Sequence, residues 1–116
     1  MDLTIITAAG VASGFAALGT AKVMKTRLMR ARAQHVGFRV ERYQLIGGAE
    51  LIGAAGVLAG LAYTPVGYAS ATGLLALLAG AALVHIRQGD GPAELAPAAL
   101  FATGTVCYLV ALGVAR

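Results

Sequence analysis

Four apolar stretches of about 20 residues divide this 116-residue chain: Leu3–Ala21, Tyr43–Tyr63, Gly67–Ile86 and Pro97–Ala115. A helix rises 1.5 Å per residue, so each stretch is long enough for a hydrocarbon core of about 30 Å. Lipid cannot satisfy backbone N–H and C=O groups, which leaves only helices or a closed barrel. A barrel needs many alternating segments of about ten residues, and none are seen. The chain is 59% hydrophobic and 12% charged, too apolar for a soluble fold of this size to hide. The sequence therefore predicts an all-α protein, with residues 1–116 forming a single four-transmembrane-helix bundle.

Charge placement orients this bundle. Seven of the nine basic residues lie between Lys22 and Arg42: Lys22, Lys25, Arg27, Arg30, Arg32, Arg39 and Arg42. With Glu41 the segment carries +6, against −2 for the rest of the chain. Placed inside, this connection brings Gln88–Ala96 and Arg87 in with it and leaves only Arg116 outside. The positive-inside rule then directs both termini outward, N-out and C-out. A basic block without interleaved aromatics beyond Phe38 does not point to nucleic acid; anionic membrane lipid is the expected partner. Val23, Met24, Leu28 and Ala31 fall loosely on one helical side. The first span is thus expected to run on into a basic interfacial segment that ends at Gly37. Met1 and Asp2 do not make a positive n-region, so the first span is expected to be a retained helix. The single cysteine, Cys107, gives no internal disulfide and no Cys-x-x-Cys pair.

Local residues set the other boundaries. Thr64-Pro65 with Gly67 predicts a tight turn between the second and third spans. Gln88-Gly89-Asp90-Gly91-Pro92 breaks the third, and Pro97 suits the first turn of the fourth. Small residues mark contact faces: Gly10 and Gly14 in span one, Gly53, Gly56 and Gly60 in span two, Ala69/Gly73 and Ala76/Gly80 in span three. Between lipid-embedded helices, close backbone approach and dispersion supply association. The same motifs suit packing between copies in a homo-oligomer.

Glu50 is the costliest residue in the chain. A carboxylate at mid-span costs roughly 2.5–3.5 kcal/mol on insertion scales. It shares a helical face with Gly53, Gly56 and Gly60, so it is expected to face protein. Candidate partners are Lys22, Arg39, Arg42, His85 and Arg87, near the basic ends of the spans. Two readings stay open. Glu50 locks the bundle through an ion pair, or it serves as an acid/base group or ligand anchor, with His85 as a second catalytic candidate. Only His35 and His85 supply imidazoles, and no spacing resembles a zinc or di-iron site, so no metal site is expected. No triad, phosphate loop or dinucleotide fingerprint is present.

Several of these pieces recur in order in one family. Ala21-Lys22 precedes a basic stretch ending in Gly37; Arg42-Tyr43-Gln44-Leu45-Ile46-Gly47-Gly48-Ala49-Glu50-Leu51 follows. Then come Gly53 to Leu61, Pro65, Ser70 to Leu74, and Gly80 to Asp90. The chain resembles the DoxX-like family of small four-helix integral membrane proteins. That resemblance implies a place in the bacterial cytoplasmic (inner) membrane and a polar set of Lys22, Arg42, Glu50, His85 and Arg87. It also implies association with membrane thiol-redox or quinone-linked oxidoreductase complexes, although a lone cysteine argues against a thiol relay in this chain. The leading expectation is a small subunit or accessory of a membrane redox system handling a lipophilic molecule such as quinone, with Lys22, Arg42 and Arg87 binding it. The alternatives are an intramembrane acid/base enzyme using Glu50 (an isomerase, epoxide hydrolase or cyclase) and a structural helper of a larger complex.

Overall fold

A computed structural model describes residues 2–115; Met1 and Arg116, with the outside charge expected of Arg116, lie outside the described residues. Five helices run in order: α1 Leu3–Val23, α2 Arg27–His35, α3 Val40–Ala59, α4 Thr64–Arg87 and α5 Pro92–Val114. No strand occurs among the described residues. The four expected spans thus become four long helices plus one short one. By length and composition α1, α4 and α5 can cross a membrane. The 20-residue α3 carries Glu41, Arg42, Gln44 and Glu50, which set it apart from them.

The long helices pack in a ring, α1 on α3, α3 on α4, α4 on α5 and α5 on α1, with α2 resting on α1 and α3. The long axis measures 42 Å, close to a bilayer with its head groups. Large apolar side chains cover the outside, among them Ile5, Leu45, Ile52, Leu100 and Val110. So many exposed apolar residues on every long helix suit lipid contact. Thr72, Thr103 and Thr105 return their hydroxyl protons to carbonyls one turn back, which satisfies those donors within the helices.

The packed core fills the half of the ring away from the basic loop. Ala8, Val11, Ala12 and Phe15 meet Ala54, Val57, Ala71, Leu74, Tyr108 and Leu112 there. Tyr108 is fully buried, and its hydroxyl donates to the Val57 carbonyl at 2.8 Å. That carbonyl lies in the last turn of α3, where a helix leaves acceptors without intrahelical partners. Gly60 and Gly67 let α3 and α4 touch beside it: a Cβ on Gly67 would sit 3.0 Å from Gly60 Cα.

Several expectations are corrected here. Gly67 does not form the turn; residues 60–63 do, and Pro65 opens α4 while Gly67 lies inside it. Pro97 does not begin the last helix. Pro92 does, with the Glu94 carboxylate reaching back to Gly91 N–H at 3.0 Å, so Pro97 lies inside α5 and removes the bond to the Ala93 carbonyl. The first span does not run on into the basic segment. Thr26 N–H reaches Ala21 O and Lys25 N–H reaches Lys22 O, with Lys25 left-handed at φ 53°, and this closes α1 before Thr26 caps α2. Gly37, at φ 76°, follows the end of α2. Of the glycines read as contacts, Gly14 faces Phe101, Gly53 faces Leu74 and Gly56 faces Ser70, but Gly10, Gly73 and Gly80 meet nothing within 4 Å. A small-residue repeat reports spacing, not which face of the helix the fold turns inward.

Candidate functional site

The site begins where α1 and α3 cross. Gly19 and Gly47 oppose each other with no room for a methyl: a Cβ on either would lie 2.7 Å from the carbonyl oxygen of the other. One turn further along each helix stand Lys22 and Glu50. The close crossing brings Lys22 Nζ to 2.7 Å from Glu50 Oε1, with side chains 12% and 6% exposed. Lys22 Nζ also lies 5.6 Å from the Tyr43 ring centre, and Tyr43 meets Phe38 edge-on at 6.1 Å. The Arg42 guanidinium lies over the Phe38 ring, 5.0 Å from its centre. Two cations and two aromatic rings thus cluster about the start of α3.

This pair forms part of the wall of a cavity of about 740 Å³. Phe15, Leu18, Ile46, Leu77, Leu78 and Phe101 give it an apolar interior, where the Phe15 and Phe101 rings stand 5.0 Å apart. Gly80 and Ala81 on α4 and Pro97 and Ala98 on α5 are small residues in its lining and take up little of the space. Arg32, His35, Arg42, Tyr43, His85 and Glu94 add polar groups to its lining. Helix α2 forms one wall. Its Met29 and Ala33, with Val36 at its C-cap, are buried at helical spacing, and Ala31, Arg32, His35 and Val36 line the cavity.

A second polar cluster stands at the cavity wall. Asp90 N–H bonds the His85 carbonyl and Gly89 N–H the Ile86 carbonyl, with Gly89 left-handed at φ 76°. This turn folds the Asp90 side chain back over the end of α4. Its Oδ2 lies 2.7 Å from His85 Nδ1, and both carboxylate oxygens lie 3.0 Å from His35 Nε2 on α2. The ligand-capable atoms of His35, His85 and Asp90 all lie within 4.8 Å of one another. Hydrogen bonds from His85 and then His35 hold the Asp90 carboxyl below its ordinary range, since they favour its charged form.

The DoxX-like family model matches residues 6–107, most of the chain and every helix of it. No curated protein and no solved structure matches it. The chain belongs to the DoxX-like family.

In this DoxX-like protein the sequence-suggested polar residues fall into two groups. Lys22, Arg42, Glu50 and His85 line one cavity. Arg87 does not: two residues past His85 on α4, it points to another side of the helix and is exposed. Glu50 takes Lys22 as its partner, while His85 takes Asp90. Sequence reasoning missed Gly19 and Gly47, although Gly19-x-x-Lys22 and Gly47-x-x-Glu50 share one spacing. It also missed His35 with Asp90, which the fold joins across a long stretch of chain. The available signal was Gly89 itself, a residue type that tolerates the left-handed turn found there and so marks where the chain turns after α4.

Proposed function

We propose that this DoxX-like membrane protein holds a lipophilic molecule with a polar head, a quinone, as a small subunit or accessory of a membrane redox system. One observation carries the reading: an apolar cavity of about 740 Å³, within the usual range for small-molecule sites, has the Lys22–Glu50 pair in its wall and Arg42 and Tyr43 beside it. Quinone carbonyls accept hydrogen bonds, and Lys22, Arg42 and Tyr43 are donors. The isoprenoid tail would follow the Phe, Leu and Ala surfaces. In this reading α3 crosses the bilayer with α1, α4 and α5, its Glu50 neutralised by Lys22. The basic ends of the helices lie in the cytoplasm, both termini face outward, and the membrane is the bacterial inner one.

The test is extraction and binding. Organic extracts of the purified protein should contain quinone, and a short-chain quinone should bind the extracted protein. Ala98→Phe, which fills the cavity, should weaken that binding at least about tenfold, the loss of about 1.4 kcal/mol. Wild type that neither carries nor binds quinone sinks the proposal.

A second reading has one observation in its favour. Lys22 engages Glu50 through Oε1, and no hydrogen bond to Oε2 is made among the described residues, so one carboxylate oxygen is left for a substrate in the cavity. In that reading Glu50 is the general acid or base of an isomerase, epoxide hydrolase or cyclase. Glu50→Gln protein that binds substrate and folds, yet turns it over at the wild-type rate, would dismiss it.

A further inference from the structure

We propose that His35, His85 and Asp90 form a binding site for one divalent first-row transition ion at the wall of the cavity. Two imidazoles and one carboxylate converge from three separate elements: α2, the end of α4 and the turn into α5. A carboxylate needs only one histidine to be satisfied at a helix end. Here it has two, His85 Nδ1 at 2.7 Å and His35 Nε2 at 3.0 Å. A set of two nitrogen donors and one oxygen donor suits zinc or ferrous iron. It does not suit magnesium or calcium, which prefer oxygen throughout, or copper(I), which prefers sulfur.

The backbone holds these ligands ready. Asp90 is fixed by the bond from its N–H to His85 O at 3.0 Å and by the left-handed Gly89. The Asp90 side chain is 9% exposed and His85 25%, whereas His35 is 53% exposed, so an ion can arrive past His35. To bind it, each imidazole presents a lone pair where it now faces Asp90, and its ring proton moves to the far nitrogen. Three protein ligands leave a fourth position open, as in sites where a metal contacts a ligand or water. His35 and His85 both line the cavity, so that position adjoins its contents. The ion would set a Lewis-acidic centre against the polar head of a bound molecule, whatever that molecule is.

The experiment uses the whole chain, purified in detergent with a tag free of histidine, stripped with a chelator and titrated with Zn²⁺ or Co²⁺. One equivalent should bind, with a Kd of about micromolar or tighter and visible Co²⁺ ligand-field bands of low coordination number. His35→Ala, His85→Ala and Asp90→Asn should each weaken binding at least about tenfold. Zn²⁺ should also protect the wild-type histidines from diethylpyrocarbonate, a readout that depends on no variant folding. A wild type that binds Co²⁺ no better than Asp90→Asn, or histidines that Zn²⁺ leaves equally reactive, overturns the proposal. Quinone extraction is unaffected by this outcome, so the metal site and the quinone reading fail separately.

Discussion

Gly19 on α1 and Gly47 on α3 meet backbone to backbone, and the Lys22–Glu50 ion pair spans that crossing, each partner one turn C-terminal of the glycine on its own helix. The crossing and the ion pair are one device. Without the glycines, the helices would stand further apart and Lys22 would lose its reach to Glu50.

Gly47→Ala places a methyl 2.7 Å from the Gly19 carbonyl oxygen and 2.7 Å from Lys22 Cβ. Overpacking of this kind costs about 1–3 kcal/mol. Thermal unfolding in detergent should show a lowered Tm. Gly10→Ala, which meets nothing within 4 Å, should leave Tm equal or raised, because Ala favours helix by up to about 1 kcal/mol. Equal effects at both positions would deny the close crossing.

Lys22→Met and Glu50→Met each leave a buried charge without its partner, a loss of about 3–5 kcal/mol. The double variant removes both charges and should cost less than the two single losses together. A double-mutant cycle of detergent unfolding free energies measures the difference. Strict additivity would mean that the pair is not coupled.

Tyr108→Phe deletes the hydroxyl that donates to the Val57 carbonyl at 2.8 Å in a fully buried setting. The expected loss is about 1 kcal/mol, with the ring packing kept. Tyr108→Ala adds a cavity and should cost about 3–5 kcal/mol by analogy with buried aromatic truncations. Comparable melting curves for wild type and Tyr108→Phe would show the bond to be idle.

Helix α2 buries only Met29 and Ala33 within its length, and most of its surface is exposed. Local opening is easiest where few apolar contacts are made. Hydrogen exchange should therefore be faster at the amides of 31–35 than at those of Gly53–Val57 in the core. Matching protection in the two segments would contradict this.

Arg42 and Arg87 are both basic residues of the suggested polar set, but only Arg42 lines the cavity. If a quinone binds there, Arg42→Ala should weaken binding several-fold, and Arg87→Ala should change it by less than about twofold. Fluorescence titration with a short-chain quinone distinguishes them. A larger effect at Arg87 would move the binding site elsewhere.

The helical class could be read in the sequence because apolar runs near 20 residues leave the backbone in lipid few alternatives. Glu50 drew attention for the same reason, since a charge among glycines and alanines needs company. Less could be read wherever the answer depends on which face turns inward. Gly10, Gly73 and Gly80 have the spacing of contact residues, yet they face outward or toward open space; Gly14, Gly53, Gly56 and Gly60 do pack, and Gly19 and Gly47, outside those repeats, make the α1–α3 crossing. Pro92 and Pro97 both suit a helix start; the Glu94 cap on Gly91 decides for Pro92. His35 and Asp90 meet only through tertiary folding, and no local spacing announces their contact.

The side-chain bridge from His35 to Asp90 gives α2 a second role. This short helix packs on α1 and α3 alone, so the bridge is its polar tether to the opposite flank among the described residues. A molecule arriving from the aqueous side between those flanks would have to part imidazole from carboxylate before it could pass. Admission and the state of that tether would then be a single event, so occupancy of the hollow could be read out from the histidine resonances.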